Sequence, residues 1–119
     1  ISISPIVGPE VITGSTRMKS GTAQKIVLNM ISTSVMIKLG KVYSNLMVDL
    51  QPTNNKLVER GKSIFIEITG ASYKQAEEYL KKSNYRVKEA VIMYKKACSL
   101  EQAEKLLQEN NGKLRRVIS

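Results

Sequence analysis

Apolar and polar positions alternate strictly only at the start of the chain. Ile1-Ser2-Ile3-Ser4 runs in period two and stops at Pro5, the pattern of one short strand. A lone strand is not stable without a partner. It is therefore expected to pair with strands supplied by a longer protein, of which this would be the C-terminal piece; an edge strand or frayed end is the alternative. Residues 22–40, TAQKIVLNMISTSVMIKLG, read as a helix closed by Gly40. Lys25, Asn29 and Ser32 fall near one stripe, and most of the remaining circumference is apolar or small. A helix apolar nearly all round is expected to be buried, packed on more than one side.

Residues 41–55, KVYSNLMVDLQPTNN, read as a connection with an apolar middle. Thr53 or Asn54 can cap the helix that follows. That helix is expected to reach Thr69, with Leu57, Gly61, Ile64, Phe65 and Ile68 on one face and Gly70 at its end. Beyond it lies an internal repeat with a spacing of 27 residues. SYKQAEEYLKKSNYRVKEAVI begins at Ser72 and SLEQAEKLLQENNGKLRRVIS at Ser99. Ser72/Ser99, Gln75/Gln102, Ala76/Ala103, Glu77/Glu104, Leu80/Leu107 and Asn84/Asn111 are identical pairs. Tyr79/Leu106, Arg86/Lys113 and Val87/Leu114 match in type. Each unit reads as Ser cap, short helix, polar turn and second helix, with Ser and Gln at capping-box spacing. One short helical hairpin cannot bury its apolar face, but two stacked copies can. The expected organisation is therefore 1–70 and 71–119, the latter a compact helical subdomain, with Gly70-Ala71 at the boundary. A mainly α chain results.

The 119 residues carry a net charge of +9. The excess is spread along the chain, with no block of one sign, and aromatic residues are scarce: one Phe, five Tyr and no Trp. A nucleic-acid binder would more often show a basic stripe or a row of stacking aromatics. The charge favours small anions without demanding them. A single cysteine, Cys98, excludes an internal disulfide and fits a reducing compartment. With no histidine and one cysteine there is no zinc site of the usual kind. No apolar run approaches membrane-span length. No cofactor, nucleic-acid or membrane partner is expected.

The chemistry concentrates in GPEVITGSTRMKSGTAQK, Gly8 to Lys25. Eighteen positions hold three glycines, three threonines, two serines and three basic side chains. Glycines allow close approach of a ligand, and Ser15, Thr16, Ser20 and Thr22 offer hydroxyls. The first N–H groups of the next helix are expected to be unpaired and to favour an anion. Arg17 adds a two-pronged donor and Lys19 a point charge. A sugar phosphate or other small anion is the natural guest. The stretch matches neither a P-loop nor a dinucleotide fingerprint, and on composition alone it reads equally well as an ordinary loop and helix cap. Glu10 is the only acid near it. It would be repelled by a phosphate, and is expected to face sugar hydroxyls, Arg17 or a neighbouring subunit.

Taken together, VGPEVITGSTRMKSGTAQKIVLNMIST and KLGKVYSNLMVDLQPTNNKL closely resemble the C-terminal half of the bacterial N-acetylmuramic acid 6-phosphate etherases. These are sugar-isomerase-type (SIS) domain proteins related to the glucokinase regulatory proteins. The resemblance extends through TGASYKQAEEYLKKSNYRVKEAVIM, which is similar to that family's small ubiquitin-associated-like (UBA-like) helical end. It implies a three-layer α/β SIS sandwich ending within 1–70, followed by the UBA-like subdomain at 71–119. It also implies cleavage of the lactyl ether of N-acetylmuramic acid 6-phosphate to N-acetylglucosamine 6-phosphate and D-lactate. A carboxylate would remove the proton at C2, an acid would assist departure of lactate, and water would then add. The family implies no metal or redox cofactor, a homodimer with the site near the subunit contact, and a cytoplasmic role in recycling cell-wall amino sugars.

Its two catalytic glutamates belong to the upstream half, so no catalytic residue is assigned to this chain. Ser15, Thr16, Arg17 and Lys19 match the GSTRxK positions and are expected to line the substrate site. Glu10 and Thr13 match as well. Met18 and Ser20 fall where the family varies. A non-enzymatic sugar-phosphate sensor and a helical protein-interaction module are the competing readings. Without upstream strands, Ile1–Val7 and the 22–40 helix are expected to expose apolar surface and drive self-association.

Overall fold

The computed structural model describes all residues, Ile1–Ser119, as six helices and one two-stranded sheet. The chain is mainly helical, as its periodicity predicts. It divides into two compact units, Ile1–Met36 and Ile37–Ser119.

In the first unit, residues 1–18 form loop and turns, and helix α1 runs Lys19–Lys38. No strand forms at Ile1–Ser4. Alternation alone cannot hold a strand, because its N–H and C=O groups need a neighbouring ladder, and none is present. The helix begins three residues before the expected Thr22. It has no buried residue, contrary to the expectation of a helix covered on several sides. Leu28, Met30 and Ile31 are about half exposed or more. Its composition calls for a covering layer that the 119 residues do not supply.

The second unit starts with a hairpin. Strands β1 (Val42–Tyr43) and β2 (Leu46–Met47) pair antiparallel, with Val42 opposite Met47 and Tyr43 opposite Leu46. Ser44 takes a left-handed φ of 55° in the two-residue turn, and the Val48 N–H extends the pairing to the Lys41 carbonyl at 3.0 Å. Helix α2 (Asn55–Thr69) is capped as its sequence predicts. The Asn54 side chain accepts from the Leu57 N–H, and Gly70, left-handed at φ 73°, ends the helix. Gly61, Ile64 and Phe65 are buried along its expected face.

Helices α3 (Tyr73–Lys82), α4 (Val87–Lys96), α5 (Leu100–Glu109) and α6 (Leu114–Ile118) form the two repeat hairpins. Both capping boxes are present, Ser72 with Gln75 and Ser99 with Gln102. The 27-residue equivalence extends to backbone shape. Asn84 and Asn111 are left-handed at φ 53° and 55°, and Tyr85 and Gly112 at 60° and 70°. The Tyr85 N–H reaches back to the Leu80 carbonyl, and the Gly112 N–H to the Leu107 carbonyl. Both turns thus satisfy the ends of their first helices by the same long return bond.

Helix α2 packs against α3 and α4, so Gly70-Ala71 lies inside this unit. Phe65 of α2 stacks on Tyr79 of α3 at 6.1 Å and meets the edge of Tyr94 of α4 at 5.5 Å. Tyr79 and Tyr94 complete the triangle edge-to-face at 5.2 Å. Lys62, only 6% exposed, ties α2 to α3. Its ammonium donates to Glu59 at 2.8 Å and to the Tyr73 hydroxyl at 2.9 Å, and that hydroxyl donates to the other Glu59 oxygen at 2.8 Å. The Glu59 and Tyr73 hydrogen bonds push the Lys62 pKa well up, so the ammonium stays charged in its covered position. No helix is long and apolar enough to cross a membrane.

Two glycines separate space from conformation. A Cβ on Gly40, at φ 71°, would stand 2.9 Å from the Gly112 carbonyl oxygen. A Cβ on Gly61, inside α2, would find ordinary contacts of 3.5 Å to Val87 and 3.6 Å to Leu50. In chemical denaturation Gly40→Ala is expected to lose roughly 1–3 kcal/mol through clash and backbone strain. Gly61→Ala is expected to be neutral or to gain up to about 1 kcal/mol through helix propensity. Equal effects from the two substitutions would contradict this packing.

Candidate functional site

The Gly8–Lys25 stretch folds back on the start of α1. Gly8 and Gly14 are left-handed at φ 69° and 84°, and the Ser15 N–H closes a turn on the Ile12 carbonyl at 3.0 Å. Gly14, third in that four-residue turn, has the positive φ that a type II turn requires.

The fold-back places Glu10 at the N-terminus of α1. One carboxylate oxygen accepts the Lys19 N–H at 3.0 Å and the other accepts the Ser20 N–H at 3.0 Å. The Gly21 N–H donates to the Thr16 carbonyl at 3.0 Å and the Thr22 N–H to the Met18 carbonyl at 3.1 Å. The amides of Lys19, Ser20, Gly21 and Thr22 therefore all have partners. The expectation that they are open to a guest anion does not hold, because a side-chain carboxylate already occupies that end. The helix dipole favours the same placement. The N–H groups of Ser20 and Lys19 hold the Glu10 carboxyl below the usual carboxylate range.

The remaining candidates differ in how far they are engaged. The Lys19 ammonium donates to the Pro9 carbonyl at 2.7 Å, so it also fastens the fold-back. Ser15 is half-buried, while Thr13, Thr16 and Arg17 are exposed. Arg17 forms no ion pair with any of the chain's acids. The loop thus presents hydroxyls and one free guanidinium beside a helix end whose Lys19 and Ser20 amides are already taken by Glu10. These groups are able to donate hydrogen bonds to a polyhydroxylated or anionic molecule. No cluster of three His, Cys, Asp or Glu residues could hold a metal ion.

The role of Glu10 escapes local sequence rules. It lies nine positions before the first amide it caps, outside the window in which Ser, Thr, Asp or Asn caps are sought. The signal that could have found it is the pair of glycines flanking it at Gly8 and Gly14, which let the loop reverse.

A family model described as the C-terminal lid domain of glucokinase regulatory protein matches residues 44–90, from the hairpin turn through α2 and α3 into α4. N-acetylmuramic acid 6-phosphate etherases from Yersinia pestis (strain Pestoides F) and Yersinia pseudotuberculosis serotype O:1b (strain IP 31758) are each 55% identical over 118 residues. That match covers 99% of this chain and 40% of each relative. The chain resembles these etherases along nearly its whole length. It spans about 40% of the length of the curated relatives it matches.

The cap has a titration signature. Because its folded pKa is depressed, the Glu10 contribution is present above the ordinary value of 4.5 and is lost as pH falls through the lowered value. The Lys19 and Ser20 amide resonances are expected to titrate together with a midpoint below 4.5, and Glu10→Gln is expected to abolish that titration. A midpoint at or above 4.5 would show that the carboxylate is not held by these amides.

Proposed function

We propose that this chain is the C-terminal portion of an N-acetylmuramic acid 6-phosphate etherase, a carbon–oxygen lyase that releases D-lactate and N-acetylglucosamine 6-phosphate. The observation that carries this reading is 55% identity across 99% of the chain. The proposal includes the finer architecture: 1–70 as the end of a three-layer SIS sandwich and 71–119 as a UBA-like end. The exposed apolar length of α1 supports it, since that helix has the composition of one packed inside a layered fold. A cytoplasmic homodimer and a place in amino-sugar recycling belong to the same proposal.

Within it, Ser15, Thr16 and Arg17 line one wall of the sugar-phosphate site, with Thr13 at its margin. Their free hydroxyls and guanidinium suit phosphate and sugar oxygens. Glu10 and Lys19 act as positioning residues: their bonds to the helix amides and the Pro9 carbonyl hold the loop reversed. Proton transfer at C2 and protonation of the leaving lactate fall to residues outside this chain, which brings no second carboxylate to the loop.

Lactate release by the 119-residue chain and by a full-length etherase containing it tests the proposal. The full-length protein is expected to turn over and the chain alone is not. Sugar-phosphate binding by the full-length protein without lactate release would mark a regulator instead. In that enzyme Arg17→Ala is expected to lower kcat/KM by about tenfold or more, since a charge-assisted contact contributes roughly 1.5–3 kcal/mol. Unchanged kinetics would leave Arg17 outside the site.

A further inference from the structure

The two helical hairpins carry basic residues at the same two repeat positions, Arg86/Lys113 and Lys88/Arg115. In the first hairpin both are neutralised. Arg86 pairs with Glu89 at 3.3 Å and with Glu104, and Lys88 pairs with Asp49 at 3.0 Å. Arg86, Lys88, Asp49 and Glu89 line a small groove of about 130 Å³. In the second hairpin neither cation has an acidic partner. The position of Glu89 is occupied there by Arg116. The equivalent groove is lined by Lys113, Arg115, Ser44, Gly40, Val42 and others, contains no acid, and is larger at about 310 Å³.

This second groove is held in shape. The Gly40 backbone lies so close to Gly112 and to Cγ of Lys113 that no side chain fits between them, which fixes the root of Lys113. The Arg115 guanidinium sits over the Tyr43 ring at 5.8 Å, a cation–π placement that restrains it beside the hairpin.

We propose that the groove between the β1–β2 hairpin and α6 is a carboxylate-binding site, open in the second hairpin where the first fills its counterpart with the chain's own acids. In the first hairpin each cation at these positions takes carboxylates of its own, Glu89 and Glu104 for Arg86 and Asp49 for Lys88. Lys113 and Arg115 supply the charge, the Ser44 hydroxyl a further donor, and Val42 and Leu114 an apolar floor. The ligand is a small carboxylate or an acidic side chain of a partner. This inference stands independently of the etherase reading.

The test is an NMR titration of the full chain with acetate and, separately, with a capped triglutamate peptide, ionic strength being held constant with chloride. The Gly40, Ser44, Lys113 and Arg115 resonances are expected to shift saturably, while those of Arg86 and Lys88 stay still. Lys113→Met keeps the stem against Gly40 and removes the charge; Arg115→Gln is the second variant. Each is expected to weaken binding about tenfold. Saturation by both probes marks a site open to free carboxylates, and saturation by the peptide alone marks one that needs a polypeptide partner. Saturation by neither, or shifts spread evenly over surface lysines and unchanged in both variants, would overturn the proposal.

Discussion

A ten-residue helix can bury several faces only if other elements surround it, and α4 is that helix. Val87, Ala90, Val91, Ile92 and Met93 are all buried on it, and α2, α3, α5 and α6 all pack against it. Neither repeat hairpin could do this alone. The first supplies α4 but covers only part of it, the second supplies α5 and α6, and α2 closes the remaining side through Phe65 and Gly61. The region from Ile37 onward therefore holds together as one unit, although its sequence reads as a subdomain of two helical hairpins, 71–119, that follows a separate 1–70.

This arrangement accounts for where the charges went. With the apolar faces turned toward α4, the ion pairs lie on the outer faces and between neighbouring elements. Lys62 joins α2 to α3, Arg86 joins α4 to α5, and Lys88 joins α4 to the segment after the hairpin. Asp49 lies between Lys88 and Lys41. Burial raises its pKa, but the two ammonium groups outweigh that and leave it lowered. The Arg86–Glu104 pair is exposed on both sides and contributes little stability, whereas the Lys62 ammonium is covered.

Much of the helical unit was legible because its signals are local. Asn54, Gly70, Ser72 and Ser99 act within a turn of themselves, and the repeat shows in single residues such as Asn84 and Asn111. The failures were all non-local. Ile1–Ser4 has a strand's alternation but no ladder to join. The β1–β2 hairpin has two-residue strands, too short for any periodicity to mark. The packing of α2 onto α3 and α4 depends on Phe65 meeting tyrosines 14 and 29 positions away. In the candidate loop the hydroxyl and basic residues were evident from composition, but the occupant of the helix end was not, because it arrives by a chain reversal.

That occupant changes what kind of recognition the loop can evolve. A cradle of backbone amides is the same whatever the side chains, so it resists tuning and accepts almost any anion of suitable size. Here Glu10 has already taken the Lys19 and Ser20 amides of that cradle. Whatever settles on this loop meets hydroxyls and a guanidinium, each of them a replaceable group. Selectivity then becomes a heritable property of individual codons, able to drift from one ligand to another without disturbing the helix beneath.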